Sequence, residues 1–129
     1  MRVLVVDDSA FMRRAISQMI ASEPGLEVID TARNGREAVE KALALKPDVI
    51  TLDVEMPEMN GLDALREIRR VCPDPKPAVI MCSSLTSAGS HEALRALRLG
   101  AAEVVAKQAS IQTGNLDVLR TDLITKIKA

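Results

Sequence analysis

Residues 2–8, RVLVVDD, form a short and almost continuously apolar run that ends in two acidic residues. Four further runs of four to six residues lie at residues 27–32, 49–54, 78–82 and 103–106. Runs of this length, rich in aliphatic and β-branched side chains, are typical of strands that are covered on both faces. Stretches with helical spacing of apolar residues separate them, so the pattern is βα repeated five times.

Strands joined by crossover helices run parallel, and right-handed crossovers place helices on both faces of an open sheet. We therefore predict an α/β fold, a doubly wound five-stranded parallel sheet in the order 2-1-3-4-5 with five helices. The second strand, residues 27–32, is less apolar and is expected at an edge. Helices are expected from residue 10 to the break at residues 23–25, over 35–45, around 62–68, over 91–99 and over 116–127. One domain, residues 1–129, accounts for the chain.

Composition disfavours several classes of function. With 17 Lys and Arg against 18 Asp and Glu, the net charge is −1, and no basic cluster is present to neutralise nucleic-acid phosphates. One Phe and no Tyr or Trp leave no aromatic platform for bases or flavins. No apolar run approaches the ~18 residues of a membrane span, and the first residues do not read as a signal peptide. We expect a cytoplasmic monomer without membrane insertion, in which Cys72 and Cys82 are reduced.

Three aspartates mark the ends of two strands that the predicted topology makes neighbours. Asp7 and Asp8 end the first strand, and Asp53 ends the third. Because parallel strands present their carboxyl ends at one edge, the three carboxylates are expected to converge there. The simpler interpretation is that Asp8 or Ser9 caps the next helix, but a cap does not explain Asp53.

Carboxylates ~5 Å apart repel each other by roughly 3 kcal/mol at an effective dielectric of about 20, so something must compensate for this repulsion. Either one acid has a raised pKa, or a hard divalent cation such as Mg²⁺ binds there. The loops hold no His or Cys, which disfavours zinc. Mg²⁺ beside a carboxylate suits phosphoryl transfer, and Ser83 and Lys107, at the ends of the fourth and fifth strands, would bind phosphoryl oxygens.

These motifs resemble the response-regulator receiver domain over essentially the whole chain. The residues that carry the resemblance are VVDDS at 5–9, LDVEMPEMNG at 52–61, Ser83 and Lys107. More narrowly, the chain is similar to the receivers of chemotaxis protein-glutamate methylesterases in TLDVEMPEMNGLDALREI at 51–68, SSLT at 83–86 and EALRALRLGA at 92–101. The resemblance implies a flavodoxin-like receiver fold in a two-component phosphorelay.

The resemblance also implies a role for each acid. Asp53 would accept a phosphoryl group from the phosphohistidine of a chemotaxis histidine kinase. Asp8 and Asp53 would bind Mg²⁺ directly together with the backbone carbonyl of Glu55, whereas Asp7 would act through water. Mn²⁺ or Ca²⁺ would be substitutes for Mg²⁺.

Further roles follow from the same resemblance. Ser83 would move toward the phosphoryl group and Lys107 would pair with it. Glu55 and Ser84 occupy positions that tune the access of the hydrolytic water and so the lifetime of the phosphate. Phosphorylation would relieve inhibition of an attached methylesterase domain.

The chain departs from the receiver pattern at two positions. Gln108 stands where a proline that follows a cis peptide is usual, so we expect either a trans Lys107–Gln108 bond with a rearranged loop or a cis bond that costs ~2.5–4 kcal/mol. Val104 stands at the position of an aromatic switch residue. Because a β-branched side chain cannot swing in that way, switching is expected to rely on Ser83 and on the loop after the fourth strand.

Other interpretations compete with a phosphorylated receiver. The chain has one histidine, His91, and no GxSxG motif, so the triad of the methylesterase domain is expected to be absent and the chain to be a regulatory fragment or a stand-alone receiver. A non-phosphorylated binding module is the alternative that Gln108 and Val104 keep open. A dehalogenase-like phosphatase is disfavoured, because its nucleophile belongs to a DxD motif on the first strand. A flavodoxin is rejected for want of aromatic residues and phosphate-binding loops.

Overall fold

The computed structural model describes residues 1–56, 59–72, 77–83, 91–107 and 116–129, with the backbone alone for residues 83 and 91–93. The strands are β1 (Arg2–Val6), β2 (Glu27–Ala32), β3 (Val49–Asp53), β4 (Ala78–Ser83) and β5 (Glu103–Ala106). The helices are α1 (Ala10–Ala21), α2 (Gly35–Leu45), α3 (Gly61–Val71), α4 (His91–Arg98) and α5 (Asp117–Lys128). Every element lies within a residue or two of its predicted bounds except α3, which extends three residues further, to Val71.

The five strands form one parallel sheet in the order β2-β1-β3-β4-β5, which confirms the predicted fold class. β2 lies at an edge and is only half-buried along most of its length, as its less apolar sequence predicts. β1 and β3 lie side by side at the centre, and Val6 is paired with Leu52. The acids that follow these two residues therefore leave the sheet together.

Alternating side chains of the central strands build a separate apolar core on each face of the sheet. Val3 and Val5 of β1 pack with α1 and α5, whereas Leu4 and Val6 pack with α2, α3 and α4. All four valine and leucine side chains are buried. Burial on both faces explains the continuously apolar sequence of β1. Because all five strands are parallel, the polar residues that follow them meet at one edge of the sheet.

Three helices begin at polar caps close to that edge. Ser9 caps α1, and its hydroxyl accepts a hydrogen bond from the Met12 amide at 3.3 Å. Asn34 caps α2 and Asn60 caps α3 in the same way. Since Ser9 caps α1, the Asp8 carboxylate is not needed to cap this helix. Across the described ranges, no helix has the length and apolar character needed to cross a membrane.

Candidate functional site

The predicted acids meet at the carboxyl edge of the sheet. Asp7 and Asp53 are buried, with 1% and 2% of their surface exposed, whereas Asp8 is exposed to solvent. One carboxylate oxygen from each of the three lies within 4.8 Å of the others. The convergence predicted from strand order is therefore confirmed.

Backbone hydrogen bonds fix the position of Asp7. Its amide donates to the Ala32 carbonyl at 3.1 Å, which extends the β1–β2 pairing, and its Oδ1 accepts from the Ser9 amide at 3.0 Å. Arg13 of α1 donates from Nη1 to the Asp7 carbonyl oxygen at 2.8 Å. Sequence reasoning missed this role of Arg13, because an arginine in the second turn of a helix carries no signal of an inward contact.

Lys107 reaches the acids from the end of β5. Its Nζ donates to Asp7 Oδ2 at 2.9 Å and to Asp53 Oδ1 at 3.1 Å, and only 4% of the residue is exposed. The ammonium thus lies between the two buried carboxylates. A buried cation with two charged acceptors is held far more firmly than a surface lysine, because each partner would otherwise be a buried, uncompensated charge.

Burial and neighbouring charge set the protonation of this cluster. Burial raises the pKa of Asp53, against the opposing attraction of Lys107, and Asp7 and Glu55 raise it further, to about 7. Burial by itself would lower the pKa of Lys107, but the attraction of Asp7 and Asp53 outweighs it and the pKa is raised. The lysine therefore remains charged, and the pKa of Asp53 lies close to neutral pH.

The donor set fits a hard divalent cation. The three carboxylates supply oxygen ligands, and the exposed Asp8 keeps the cluster open to solvent, so a bound Mg²⁺ could retain water molecules there. Three carboxylates against one ammonium also leave an excess of negative charge for a cation to balance. Asp7, Asp8 and Asp53 are the side chains that would hold Mg²⁺, and the predicted contribution of the Glu55 carbonyl stays a prediction.

Gly61 sets the distance between β3 and the start of α3. Its amide donates to the Val54 carbonyl oxygen at 2.8 Å, and the Val54 amide donates to the Cys82 carbonyl oxygen at 3.1 Å. A Cβ added to Gly61 would overlap the backbone oxygen of Asp53 and lie 2.7 Å from Val54 Cα. This close approach was not predicted. Gly61 directly follows the helix cap Asn60. A glycine at this position is the sequence feature that could have indicated a close approach of the backbone.

An open cleft of about 700 Å³ adjoins the acid cluster. Its lining includes the exposed Asp8, the half-buried Glu55 and, from α4, Arg95. Sequence reasoning did not single out Arg95. Of the three clustered acids, Asp8 is the one that lines this opening.

Of the remaining predicted positions, the structure describes Ser83 and Val104. Ser83 ends β4 and pairs with Ala106, so its backbone lies at the same edge. Val104 is half-buried against the core on the face of α2, α3 and α4, and its carbonyl oxygen accepts from Lys126 Nζ at 2.9 Å. Ser84 and Gln108 lie outside the described residues. The roles predicted for these residues stay predictions.

Comparison with known proteins places this geometry in a family. The model of the response regulator receiver domain matches residues 3–117. The chain belongs to the response regulator receiver domain family. Among solved structures, this receiver is similar to the response regulator domain of Thermotoga maritima CheB, with 44% identity, a TM-score of 0.88, and 99% of this chain and 93% of the other covered. A CheX–CheY–BeF3–Mg²⁺ complex from Borrelia burgdorferi also matches, with 34% identity, a TM-score of 0.81, and 98% and 85% covered.

Curated relatives agree on the type of receiver. A protein-glutamate methylesterase/protein-glutamine glutaminase of Archaeoglobus fulgidus is 52% identical over 99% of this chain and 35% of its own length. One from Symbiobacterium thermophilum is 48% identical over 99% of this chain and 34% of its own length. The chain is thus a receiver domain of the CheB type, and it spans about a third of the length of these relatives.

Proposed function

We propose that the chain is a phosphorylation-controlled switch in which Asp53 accepts a phosphoryl group from the phosphohistidine of a chemotaxis histidine kinase. The observation that carries this proposal is the position of Asp53: a buried carboxylate beside Asp7 and Asp8, hydrogen-bonded at 3.1 Å to a buried ammonium. A carboxylate that only stabilised the fold would not need two further acids and an open cleft beside it.

Each polar side chain has a part in the transfer. A carboxylate oxygen of Asp53 attacks phosphorus, the P–O bond forms, and the P–N bond breaks with its electron pair left on the imidazole nitrogen of the donor. Lys107 Nζ exchanges its hydrogen bond with Asp53 for one with the phosphoryl oxygens. Mg²⁺, when bound by the acid cluster, supplies positive charge against the phosphoryl oxygens. Asp53 reacts as the ionised carboxylate, which is the favoured form when the pH is above its pKa of about 7.

We infer that the output of the switch is control of a methylesterase domain in the same polypeptide, in the cytoplasm. The curated relatives that support this are protein-glutamate methylesterases in which a CheB-type receiver fills about a third of the length. In the unphosphorylated state the receiver would mask the methylesterase domain. Phosphorylation would shift a two-state equilibrium toward the form that releases it.

Phosphorylation of the chain by acetyl phosphate tests the first proposal. The chain and its Asp53→Asn variant are incubated with acetyl phosphate, with and without Mg²⁺, and intact mass is measured. We expect the mass of one phosphoryl group on the native chain, only with Mg²⁺ and never on the variant. A folded native chain that gains no mass would favour the alternative, a binding module that works without phosphorylation.

Control of the methylesterase is tested in trans. The unphosphorylated chain is added to the isolated catalytic domain of a homologous methylesterase, and the release of methyl groups from methylated receptor is followed. We expect inhibition by the native chain, and less inhibition once the chain is phosphorylated. Equal inhibition by both forms would contradict the proposed switch.

A further inference from the structure

The cleft beside Asp53 repels the substrate that the proposed function brings to it. Asp8 and Glu55 line the cleft, and Asp8 belongs to the acid cluster with Asp7 and Asp53, which Lys107 bridges. When all four carboxylates are ionised, the charge of these groups is −4 + 1 = −3, and a bound divalent cation would leave −1. A phosphoryl donor is itself anionic, so positive charge at the cleft wall would favour its entry.

Arg95 is placed to supply that charge. Among the described residues that line the cleft, Arg95 is the one cation. Its neighbour Ala96 is buried in the core, which fixes α4 against the sheet, whereas Arg95 itself is exposed. In the part of the chain that the structure describes, the Arg95 guanidinium has no ion pair or hydrogen bond that would hold it away from the cleft.

We propose that Arg95 determines the affinity for the phosphodonor by binding the phosphoryl group as it enters the cleft. This inference rests on the proposed function for the identity of the ligand. The planar guanidinium presents paired N–H donors that match two phosphoryl oxygens, which an ammonium cannot do. Arg95 acts on donor binding and leaves the transfer itself to Asp53, Lys107 and the bound cation.

Arg98 offers a matched control for Arg95. It lies on the same helix, carries the same charge and is exposed, but it does not line the cleft. Replacement of either arginine by glutamine removes one positive charge from α4. A difference between the two variants therefore depends on the position of the arginine and not on the net charge of the protein.

Binding is measured where no transfer can occur. The Asp53→Asn chain with Mg²⁺ is titrated with acetyl phosphate and, separately, with phosphoramidate, and dissociation constants are read from NMR chemical shifts. Adding Arg95→Gln is expected to raise both dissociation constants roughly tenfold, which corresponds to the loss of a charge-assisted hydrogen bond. Adding Arg98→Gln is expected to change them by less than about twofold. The dissociation constants of the Arg95→Lys variant are expected to lie between those of the Arg95→Gln and Arg98→Gln variants.

Kinetics on the Asp53-containing chain give a second readout. Arg95→Gln is expected to raise the acetyl phosphate concentration that gives half the maximal phosphorylation rate, roughly tenfold, and to leave the maximal rate unchanged. Equal behaviour of the Arg95 and Arg98 variants would overturn the inference, as would absence of ligand binding in the titration. An effect limited to acetyl phosphate would also overturn it, since the acyl end would then be the group bound. If the native chain is not phosphorylated but binding depends on Arg95, the proposed function fails and this inference stands.

Discussion

Asp53 combines two properties that a single carboxyl group seldom has in water. It is buried beside Asp7, which raises its pKa to about 7, yet it keeps a hydrogen bond from the charged Lys107. Burial beside Asp7 favours the protonated form of Asp53, and the hydrogen bond from Lys107 favours the ionised form. The group is therefore balanced near neutrality, where a small change in local charge alters its state.

The raised pKa of Asp53 predicts how the free energy of unfolding depends on pH. The folded-state pKa of Asp53, about 7, lies above its ordinary value of 3.8, so the folded chain holds this proton more tightly than the unfolded chain. In EDTA, the free energy of unfolding is expected to fall as pH rises from about 4 to about 7, by on the order of a few kcal/mol at about 1.4 kcal/mol per pKa unit. Urea unfolding of the native chain and of Asp53→Asn checks this, because the variant should lack that loss and be the more stable above pH ~7. Parallel pH curves for the two chains would contradict it.

Removal of the charge on Lys107 is expected to destabilise the metal-free chain. Lys107→Met leaves Asp7 and Asp53 buried without a cation, and such a change costs roughly 3–5 kcal/mol. Urea unfolding at pH ~8 in EDTA measures the loss. The control Lys128→Met removes an exposed lysine paired with Glu23 and should cost less than about 1 kcal/mol. Similar losses in both variants would show that Lys107 is not holding the acids together.

At the scale of the element, the junction between β3 and α3 carries the site. α3 begins at the Asn60 cap with Gly61 pressed against the backbone of Asp53, so the helix and the acid are positioned together. The Val54 amide bonds to the Cys82 carbonyl oxygen of β4, and this bond ties the same turn to the next strand. A displacement of the helix start would therefore displace Asp53.

A methyl group at position 61 tests this junction. Gly61→Ala is expected to lower the free energy of unfolding by roughly 1–3 kcal/mol, because backbone atoms must move to make room, and to slow phosphorylation by acetyl phosphate. Gly25→Ala is the control, since nothing lies within 4 Å of its added Cβ and only the positive φ of 89° opposes the change. It should cost stability but leave the phosphorylation rate unchanged. Equal effects of the two substitutions on that rate would contradict the role of Gly61 in positioning Asp53.

At the scale of the whole molecule, the acid cluster exists only when β1 and β3 are paired, so a cation that binds it stabilises the entire fold. At a Mg²⁺ concentration ~100 times the dissociation constant, the expected gain is about 2.7 kcal/mol. Thermal unfolding with increasing Mg²⁺ measures it. Asp8→Asn should reduce the gain, whereas Asp63→Asn, an exposed acid in the first turn of α3, should not. A gain that is the same in both variants would place the cation elsewhere.

Much of the fold was predictable because its causes are local or topological. Continuous apolar runs indicated strands covered on both faces, and the weaker run at Glu27–Ala32 indicated the edge strand. Asp8 and Ser9 both precede α1, so the sequence does not decide which of the two side chains caps the helix. Only the backbone geometry decided for Ser9, whose hydroxyl reaches the Met12 amide.

The pattern of residues was enough to predict the topology of the sheet and the edge at which Asp7, Asp8, Asp53 and Lys107 meet, since parallel strands bring their carboxyl ends together. Tertiary structure alone decided that Lys107 lies between Asp7 and Asp53, that Gly61 touches the backbone of Asp53, and that Arg95 faces the cleft. The physical reason is that Lys107 stands 100 residues from Asp7 in the chain. Their contact depends on how helices and strands pack in space, which the spacing of residues along the chain does not record.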